Sequence, residues 1–395
     1  MIRLCLVAWS GLSAARLHRQ RSIITVFCLV VMLTPYAAGL GLSCGIQQEA
    51  EASIEFGADL YITGSKFGRT APIPLEYQKF IGSIDGVVKL TPRIVGQMEL
   101  GRDRVAAVVV GIDAAEFPLP LSFMDGRLPK NGSMNELVIG QGLAQRLGWK
   151  VGSVLPPFYR NSRGERLTKV VGVFKATAAL WEINTVFTTF ATAAHIFDDD
   201  QRATDILVQC RQGYTSAVVS AVLQQHATGN HKIGIHITSR EMLTAKVSKT
   251  LFHHQGIFSL FFVFLFVAGI LVLIVTSGIG SSERRREVGV LKATGWQTDE
   301  VLLRAFTESC LLAVVGASCS ILIAFAWMRW FAGLWLADVF LPDWTSAGNV
   351  APPFALTVMA FLLVQLIAFA IVTSGTVYSC WRTAITLPIT SLRRS

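Results

Sequence analysis

The chain has 395 residues, 52% of them hydrophobic, and its mean hydropathy of +0.50 is too high for a soluble globular chain. Its formal net charge is +9, from 35 lysines and arginines against 26 aspartates and glutamates. Most of this excess lies outside the polar middle of the chain, which favours contact with anionic lipid over a nucleic-acid surface. The sequence therefore indicates a membrane protein.

Four apolar runs are long enough to cross about 30 Å of hydrocarbon as helices. We predict transmembrane helices over residues 23–43, 256–279, 305–331 and 354–378. A basic leader, positions 1–22, precedes the first run, which indicates a retained span rather than a cleaved signal.

Lysines and arginines cluster in this leader, in the second-to-third connection and in the tail. By the positive-inside rule, these three regions are cytoplasmic and the long middle segment lies outside. The predicted non-spanning segments are an amphipathic cytoplasmic N-terminal helix over 1–22, an outer domain over 44–250, a cytoplasmic segment over 280–304, a short outer loop over 332–353 and a cytoplasmic tail over 379–395.

The outer domain mixes strand-like and helix-like runs. Stretches rich in Val, Ile and Thr, such as 87–100 and 205–210, predict strands, and 216–227 predicts a helix. They do not alternate regularly, which favours an α+β domain over a doubly wound sheet. Thr238 and Glu241 form a capping-box pattern at the start of a helix that leads into the second span.

Long helical segments are expected on both sides of the outer domain, at about 45–57 and 238–255. Such segments would project beyond the hydrocarbon and serve as stalks. The predicted fold is therefore a membrane protein of four transmembrane helices with a large α+β extracytoplasmic domain on helical stalks.

Motifs of catalysis are absent from the sequence. It has no nucleotide-binding P-loop, and the GLSCG stretch at 41–45 closes an apolar helix rather than forming a nucleophile elbow. His226, His231 and His236 could surround a metal only in a loop, and exposed polar residues are the simpler interpretation. Cys44 and Cys210 could pair in an oxidising compartment or act as small apolar residues. We predict no enzymatic activity and no cofactor or metal bound by this chain.

A charged, amphipathic stretch, SSERRREVGVLKATGW at 281–296, follows the second apolar run directly. It places Val288, Leu291 and Trp296 near one face of a short helix, with Glu287 and Lys292 elsewhere. Such a helix can rest on lipid, connect two spans, or dock a cytosolic partner. The pattern alone leaves these three roles open.

Two features lie within the third run. Glu308 is a lone carboxylate near its inner end, where it could bond a neighbouring helix or simply lie at the interface. Gly316 and Ser320 form a small-xxx-small pair suited to close helix packing, between two copies of the chain or elsewhere.

The order of residues in SSERRREVGVLKATGWQTDEVLLRAFTESCLLAVVGASCS closely resembles the FtsX/MacB-like permease family, the four-span permeases of type VII ABC transporters. ELVIGQGLAQRLGWKVGSVL and LTKVVGVFKATAALWEINTVFTTFATAAHIF resemble the outer domain of the MacB group more loosely. The resemblance covers essentially the whole chain and is most specific over 281–320. It implies a bacterial inner-membrane protein with both termini cytoplasmic and a periplasmic domain.

The resemblance also implies roles for individual residues. The stretch 287–295 would be a coupling helix seated in a groove of a cytosolic ATPase, with three arginines at the membrane edge. The implied coupling residues are Glu287, Val288, Gly289, Leu291, Lys292, Ala293, Gly295 and Trp296, and the membrane-edge residues are Arg284, Arg285 and Arg286.

Partners follow from the same resemblance: a cytosolic ABC ATPase dimer carrying ATP and Mg²⁺, a second permease chain, and a periplasmic adaptor or carrier protein. Because only the short leader 1–22 precedes the first span, a separate ATPase subunit is expected. The implied function is mechanotransmission, in which the ATPase cycle moves the outer domain for efflux or for lipoprotein, lipid or haem release. The alternative is signalling, in which the same motion controls a wall hydrolase or sensor without transport.

Overall fold

The computed structural model describes residues 9–11, 13, 18–55, 57–101, 104–116, 121–130, 132–155, 164, 166–176, 178–228, 233–247, 249, 260, 262–264, 266–271, 281–341 and 351–384. The chain divides into two compact units. The first, the helical unit, comprises Met1–Gly45, Phe252–Phe340 and Phe354–Ser395. The second, the outer unit, comprises Ile46–Leu251 and Leu341–Pro353.

The helices are α1 (Arg19–Glu55), α2 (Tyr77–Gly82), α3 (Gln141–Leu147), α4 (Ala179–Asn184), α5 (Phe190–Phe197), α6 (Thr215–Thr228), α7 (Ser281–Ala293), α8 (Thr298–Trp330), α9 (Leu336–Phe340) and α10 (Val358–Ala384). Residues 240–247 are also helical. The strands are β1 (Leu60–Lys66), β2 (Arg69–Ala71), β3 (Ile73–Pro74), β4 (Val87–Leu100), β5 (Val105–Gly111), β6 (Leu121–Gly126), β7 (Glu136–Gly140), β8 (Val154–Leu155), β9 (Thr168–Ala176), β10 (Thr185–Thr188), β11 (Arg202–Ala203), β12 (Asp205–Cys210) and β13 (Gly234–Ser239).

Two helices in the described residues are long and apolar enough to cross a membrane, Ser22–Glu55 and Thr298–Trp330. Two shorter apolar helices, Phe262–Leu271 and Val358–Ser374, overlap the predicted second and fourth spans. Much of the second span, of the N-terminal segment, of the 332–353 loop and of the tail lies outside the described residues. The number of spans therefore stays a prediction.

Aromatic contacts hold the helical unit together. The rings of Tyr36 on α1 and Phe262 stack with centroids 3.7 Å apart. Phe306 on α8 meets Phe369 on α10 edge to face, with centroids 5.4 Å apart. Since ring pairs bury large apolar areas, these contacts fix neighbouring apolar helices side by side.

The outer unit contains a mixed sheet, whose order is β13-β1-β12-β4-β5-β10-β7-β9-β6, with β2 on β1 and β8 on β9. The pairs β5–β10 and β7–β9 are parallel, and the other pairs are antiparallel. One apolar cluster joins Leu60 and Ile62 to Ile81 of α2 and Val222 of α6, and another packs Leu143 of α3 on the sheet. This arrangement confirms the predicted α+β domain.

A buried ion pair ties β4 to β12. The guanidinium of Arg93 donates to both carboxylate oxygens of Asp205, from Nε at 3.0 Å and from Nη2 at 2.6 Å. Asp205 is buried and its partner is partly buried, so each charge depends on the other for compensation.

A carboxylate also organises the turn that precedes β7. Glu136 accepts two hydrogen bonds from Arg127, at 2.6 and 3.0 Å, and one each from the backbone N–H of Lys130 and the hydroxyl of Ser133. The Arg127 guanidinium, helped by the other two donors, lowers the pKa of Glu136 from 4.5 to about 2. The turn is therefore built around an ionised carboxylate.

The predicted helix cap at Thr238 is not found, and the state of Cys44 and Cys210, which the sequence left open, is observed. Thr238 does not cap a helix, because it belongs to β13 and pairs with Tyr61. Ser239 takes the capping role instead, since its Oγ accepts from Met242 N–H at 3.2 Å. Cys44 and Cys210 are both free thiols.

Candidate functional site

The charged stretch after the second apolar run forms α7, as its composition predicts. Arg, Glu, Leu, Lys and Ala favour helix, and Lys292 in the last turn lies near the negative end of the helix dipole. Arg284, Arg285 and Arg286 belong to this helix, and their side chains lie outside the described part of the chain.

A Schellman motif ends α7. The Trp296 N–H donates to the Leu291 carbonyl at 3.0 Å, and the Gly295 N–H donates to the Lys292 carbonyl at 3.1 Å. Gly295 has φ +90°, a conformation that glycine adopts without a Cβ penalty. The chain therefore turns at a defined point after the helix.

The next helix starts with its own cap. Gln297 and Glu300 form a capping box at the beginning of α8, with the Gln297 N–H donating to Glu300 Oε2 at 3.0 Å. Both ends of the short link between α7 and α8 are thus held by hydrogen bonds.

The side chains of α7 divide into an inner and an outer set. Val288 and Gly289 are buried, whereas Val290 is 51% exposed. Ala293 and Gly295 are exposed, and Leu291, Lys292 and Trp296 are partly exposed. Val288 and Leu291, three residues apart in α7, therefore lie on its less exposed side, and Val290 lies on its exposed side.

Glu287 joins three parts of the helical unit. Its Oε1 accepts a hydrogen bond from Arg304 Nη2 of α8 at 2.6 Å, and its Oε2 lies 3.3 Å from His18 Nε2, just before α1. The Arg304 side chain is 16% exposed, so water screens this pair less than it screens an open surface pair. The carboxylate thus holds α7 against the segments that enter the first and third predicted spans.

A glycine brings the N-terminal segment close to α8. A Cβ atom at Gly11 would overlap the Thr307 hydroxyl and come within 2.6 Å of the Arg304 carbonyl oxygen. Only a residue without a side chain fits this approach. The N-terminal segment, α7 and α8 therefore meet near Arg304.

The remaining predicted residues lie inside the helical unit. Gly316 faces α1, since a Cβ there would lie 2.7 Å from Leu29 Cδ1. Ser320 is fully buried and its hydroxyl donates to the Gly316 carbonyl at 2.7 Å. Glu308 is buried as well. The close packing at Gly316 is with the first helix of the same chain.

A second cluster lies where both predicted stalks enter the outer unit. Arg240 Nη2 donates to the Gly57 carbonyl at 3.0 Å and pairs with Asp59 Oδ1 at 3.0 Å. Asp59 Oδ2 also accepts the Cys210 N–H at 2.8 Å. Because β1 and β13 pair from Leu60 and Ser239 onward, both helical segments lead into one strand pair.

Several of these residues carry no motif in the sequence. Arg304 is one of several positive charges in the second-to-third connection, and Val290 lies off the predicted face. His18, Asp59 and Arg240 are polar residues without a distinctive spacing. The sequence gives one signal of the ion pair: Glu287 and Arg304 carry opposite charges and lie on either side of the 294–297 link.

Two protein families match this chain. The family described as MacB-like periplasmic core domain matches residues 22–226. The family described as FtsX-like permease C-terminal matches residues 259–388. Together they cover both units.

Curated relatives have related descriptions. The chain is 24% identical over 377 residues to the macrolide export ATP-binding/permease protein MacB 1 of Yersinia pestis bv. Antiqua, covering 89% of this chain and 55% of that protein. It is 26% identical over 204 residues to an uncharacterized ABC transporter permease of Methanocaldococcus jannaschii, covering 49% of this chain and 48% of that one. The chain thus spans about half the length of these relatives.

Among solved structures, the periplasmic region of MacB from Actinobacillus actinomycetemcomitans aligns at 14% identity and a TM-score of 0.38, covering 49% of this chain and 95% of that one. The extracellular domain of the noncanonic ABC-type transporter YknZ from Gram-positive bacteria aligns at 14% identity and a TM-score of 0.35, covering 46% and 100%.

Proposed function

The chain belongs to the MacB/FtsX family of ABC transporter permeases, and from this premise we propose that it couples ATP hydrolysis on a cytosolic ATPase to movement of its outer unit. In this proposal the chain lies in a bacterial inner membrane with four spans, both termini cytoplasmic and the outer unit periplasmic. The ATPase is a separate subunit that carries ATP and Mg²⁺, and two permease chains work together.

The observation that carries the proposal is the arrangement of α7. The helix is capped at its C-terminus, held by Glu287 to Arg304 and near His18, and exposes Val290 with Ala293. A partner that moves α7 would therefore move the starts of α1 and α8 with it. An exposed valine on a rigid helix suits an apolar groove in a partner protein.

We propose that motion then reaches the outer unit along the two helical segments that meet at Arg240 and Asp59. A displacement of either segment acts on the same paired strands, β1 and β13. The substrate would be a periplasmic or outer-leaflet molecule, passed to an adaptor or carrier protein by efflux or by lipoprotein, lipid or haem release. Mechanical coupling of this kind requires no catalytic group on the permease.

Signalling is the second candidate. The same coupling could act on a wall hydrolase or a sensor without transport, because nothing in the proposed motion requires a cargo. An outer partner with hydrolase modules would favour this function, and an adaptor of coiled-coil and barrel type would favour transport.

The test is co-expression of the full chain with an ABC ATPase of the same organism, purification through a tag on the permease, and measurement of ATP hydrolysis in lipid. We expect a stable complex whose hydrolysis exceeds that of the isolated ATPase. Failure of every such ATPase to co-purify with folded permease would contradict the proposal and leave α7 as a lipid-resting connector.

A further inference from the structure

The end of α8 and the segment that follows it expose large apolar side chains. Trp330 is 77% exposed, Phe331 65% and Trp335 79%, and Leu334 and Val339 are exposed as well. We call residues 330–340 the aromatic turn. Side chains of this size are rarely left in water on a soluble surface without a partner.

The backbone of the aromatic turn is held in an uncommon shape. Ala332 and Trp335 have φ of +48° and +67°, in the left-handed region that bulky residues seldom adopt. The Gly333 N–H donates to the Trp327 carbonyl at 3.3 Å, and the Ala337 N–H donates to the Gly333 carbonyl at 2.7 Å. These bonds fix the turn with its aromatic rings outward, so the exposure is a property of an ordered backbone.

The apolar surface of the turn continues along α8. Val315, Leu322 and Trp330 are all exposed, at spacings of seven and eight residues, which places them along one side of the helix. If α8 crosses the membrane, this side faces hydrocarbon, and the turn extends the same surface to the end of the span.

We propose that the aromatic turn lies in the outer lipid interface and binds the headgroup–acyl boundary of the membrane. Trp side chains concentrate at this depth, because an apolar ring and a polar N–H meet their preferred surroundings there. Arg329, next to Trp330 in the sequence, is exposed, and an arginine side chain near a helix end reaches the lipid headgroups. The inference rests on the proposed crossing of the membrane by α8.

This placement fixes the depth of α8. With Trp330 at the outer interface, about 30 Å of hydrocarbon accommodates about 20 residues of helix and ends near position 311. Glu308 then lies at the inner boundary, and Arg304, with its partner Glu287, lies on the cytoplasmic side. The cluster at Arg304 is therefore within reach of a cytosolic partner.

The test uses the full chain in vesicles of phosphatidylethanolamine and phosphatidylglycerol. An environment-sensitive fluorescent amino acid replaces Trp335, Leu322 or Val154, one at a time, and is quenched by lipids spin-labelled near the headgroup or near the acyl end, or by aqueous iodide. Val154 is 59% exposed on the outer unit and serves as a water-exposed control. Since the Trp335 side chain is 79% exposed, its replacement removes little buried contact.

We expect the probe at 335 to be quenched at least about twice as strongly by the headgroup label as by the acyl-end label, because Trp330 and the hydrogen-bonded turn keep position 335 at the headgroup level. The probe at 322 should respond to the acyl-end label. Quenching at 335 by iodide alone, with lipid quenching at 322, would overturn the inference and leave the span in place. If neither the lipid labels nor iodide quench the probe at 335, another protein, such as a second permease chain, covers the turn, and the inference is overturned. Quenching at 322 by iodide alone would show that α8 does not cross the membrane and would overturn the inference with it.

Discussion

Glu287 and Arg304 form a hydrogen-bonded ion pair, 2.6 Å from Oε1 to Nη2, across the link between α7 and α8. The pair lies between a helix that exposes Val290 and a helix long and apolar enough to span a membrane. It gives Glu287 a partner inside the chain, so the carboxylate is a positioning group for α7.

Exchange of the two charges tests this positioning role. We expect Glu287→Ala and Arg304→Ala each to reduce ATPase stimulation by the permease several-fold, because α7 loses its tie to α8. The double variant Glu287→Arg with Arg304→Glu restores the pair in reverse and should recover part of the stimulation. Equal loss in the double variant and in the single variants would show that Glu287 acts on the ATPase directly.

Close packing at Gly316 leads to a second prediction. Gly316→Val pushes a β-branched side chain into Leu29 and should lower the free energy of unfolding by about 1–3 kcal/mol. Thermal unfolding in detergent measures the change. Val315→Leu, at a 40% exposed neighbour, is the matched control and should change stability by less than about 0.5 kcal/mol. Adding Leu29→Ala to Gly316→Val should restore part of the loss, and no restoration would place the clash elsewhere.

The contribution of the Arg93–Asp205 ion pair to the stability of the outer unit can be tested by substitution. Asp205→Ala leaves Arg93 without its carboxylate partner and should cost about 3–5 kcal/mol of unfolding free energy. Urea unfolding of the full chain in detergent, followed by circular dichroism, gives the value. Replacement of both residues, Arg93→Met with Asp205→Leu, should cost less than the single change. A larger cost for the double variant would mean that the pair itself contributes net stability.

Acid should weaken the turn at Glu136. The carboxylate has a pKa of about 2 in the folded chain against 4.5 ordinarily, so its contribution is full above about pH 4.5 and is lost as the pH falls towards 2. We expect the melting temperature of the wild type to exceed that of Glu136→Gln at neutral pH, and the difference to shrink across this window. A difference that is constant from pH 7 to pH 2 would contradict the depressed pKa of the carboxylate.

Much of the outer unit is predictable from its sequence, because Val87–Leu100 and Asp205–Cys210 carry strong strand patterns and are found as strands with those bounds. β13 is not predicted, although GIHITS alternates apolar and polar residues. Its pairing with β1, which lies at the opposite end of the outer unit's sequence, decides its structure. From the sequence alone, His236 in this stretch belongs to a regular histidine spacing and Thr238 is a candidate helix cap.

For α7 as well, the sequence predicts the helix but not which of its sides is buried. The existence of α7 and its end at Gly295 follow from local composition and from glycine's freedom at positive φ. The sequence does not predict which side of α7 faces inward. Val288 and Val290 are the same residue type and differ only in the residues that pack on them. That choice depends on Arg304 and on the segment around His18, which approach from other parts of the chain.

We propose that the exposed face of α7 binds an ATPase, and we would first measure how much ATPase co-purifies with the Val290→Asp variant. A charge buried without a partner at an interface costs several kcal/mol, so the ATPase recovered with the permease should fall about tenfold or more. Val154→Asp is the control, since Val154 is an exposed valine of the outer unit. We expect loss of the ATPase with Val290→Asp and full recovery with Val154→Asp, at equal permease yield. Wild-type recovery and ATP hydrolysis with Val290→Asp would contradict the docking role of α7.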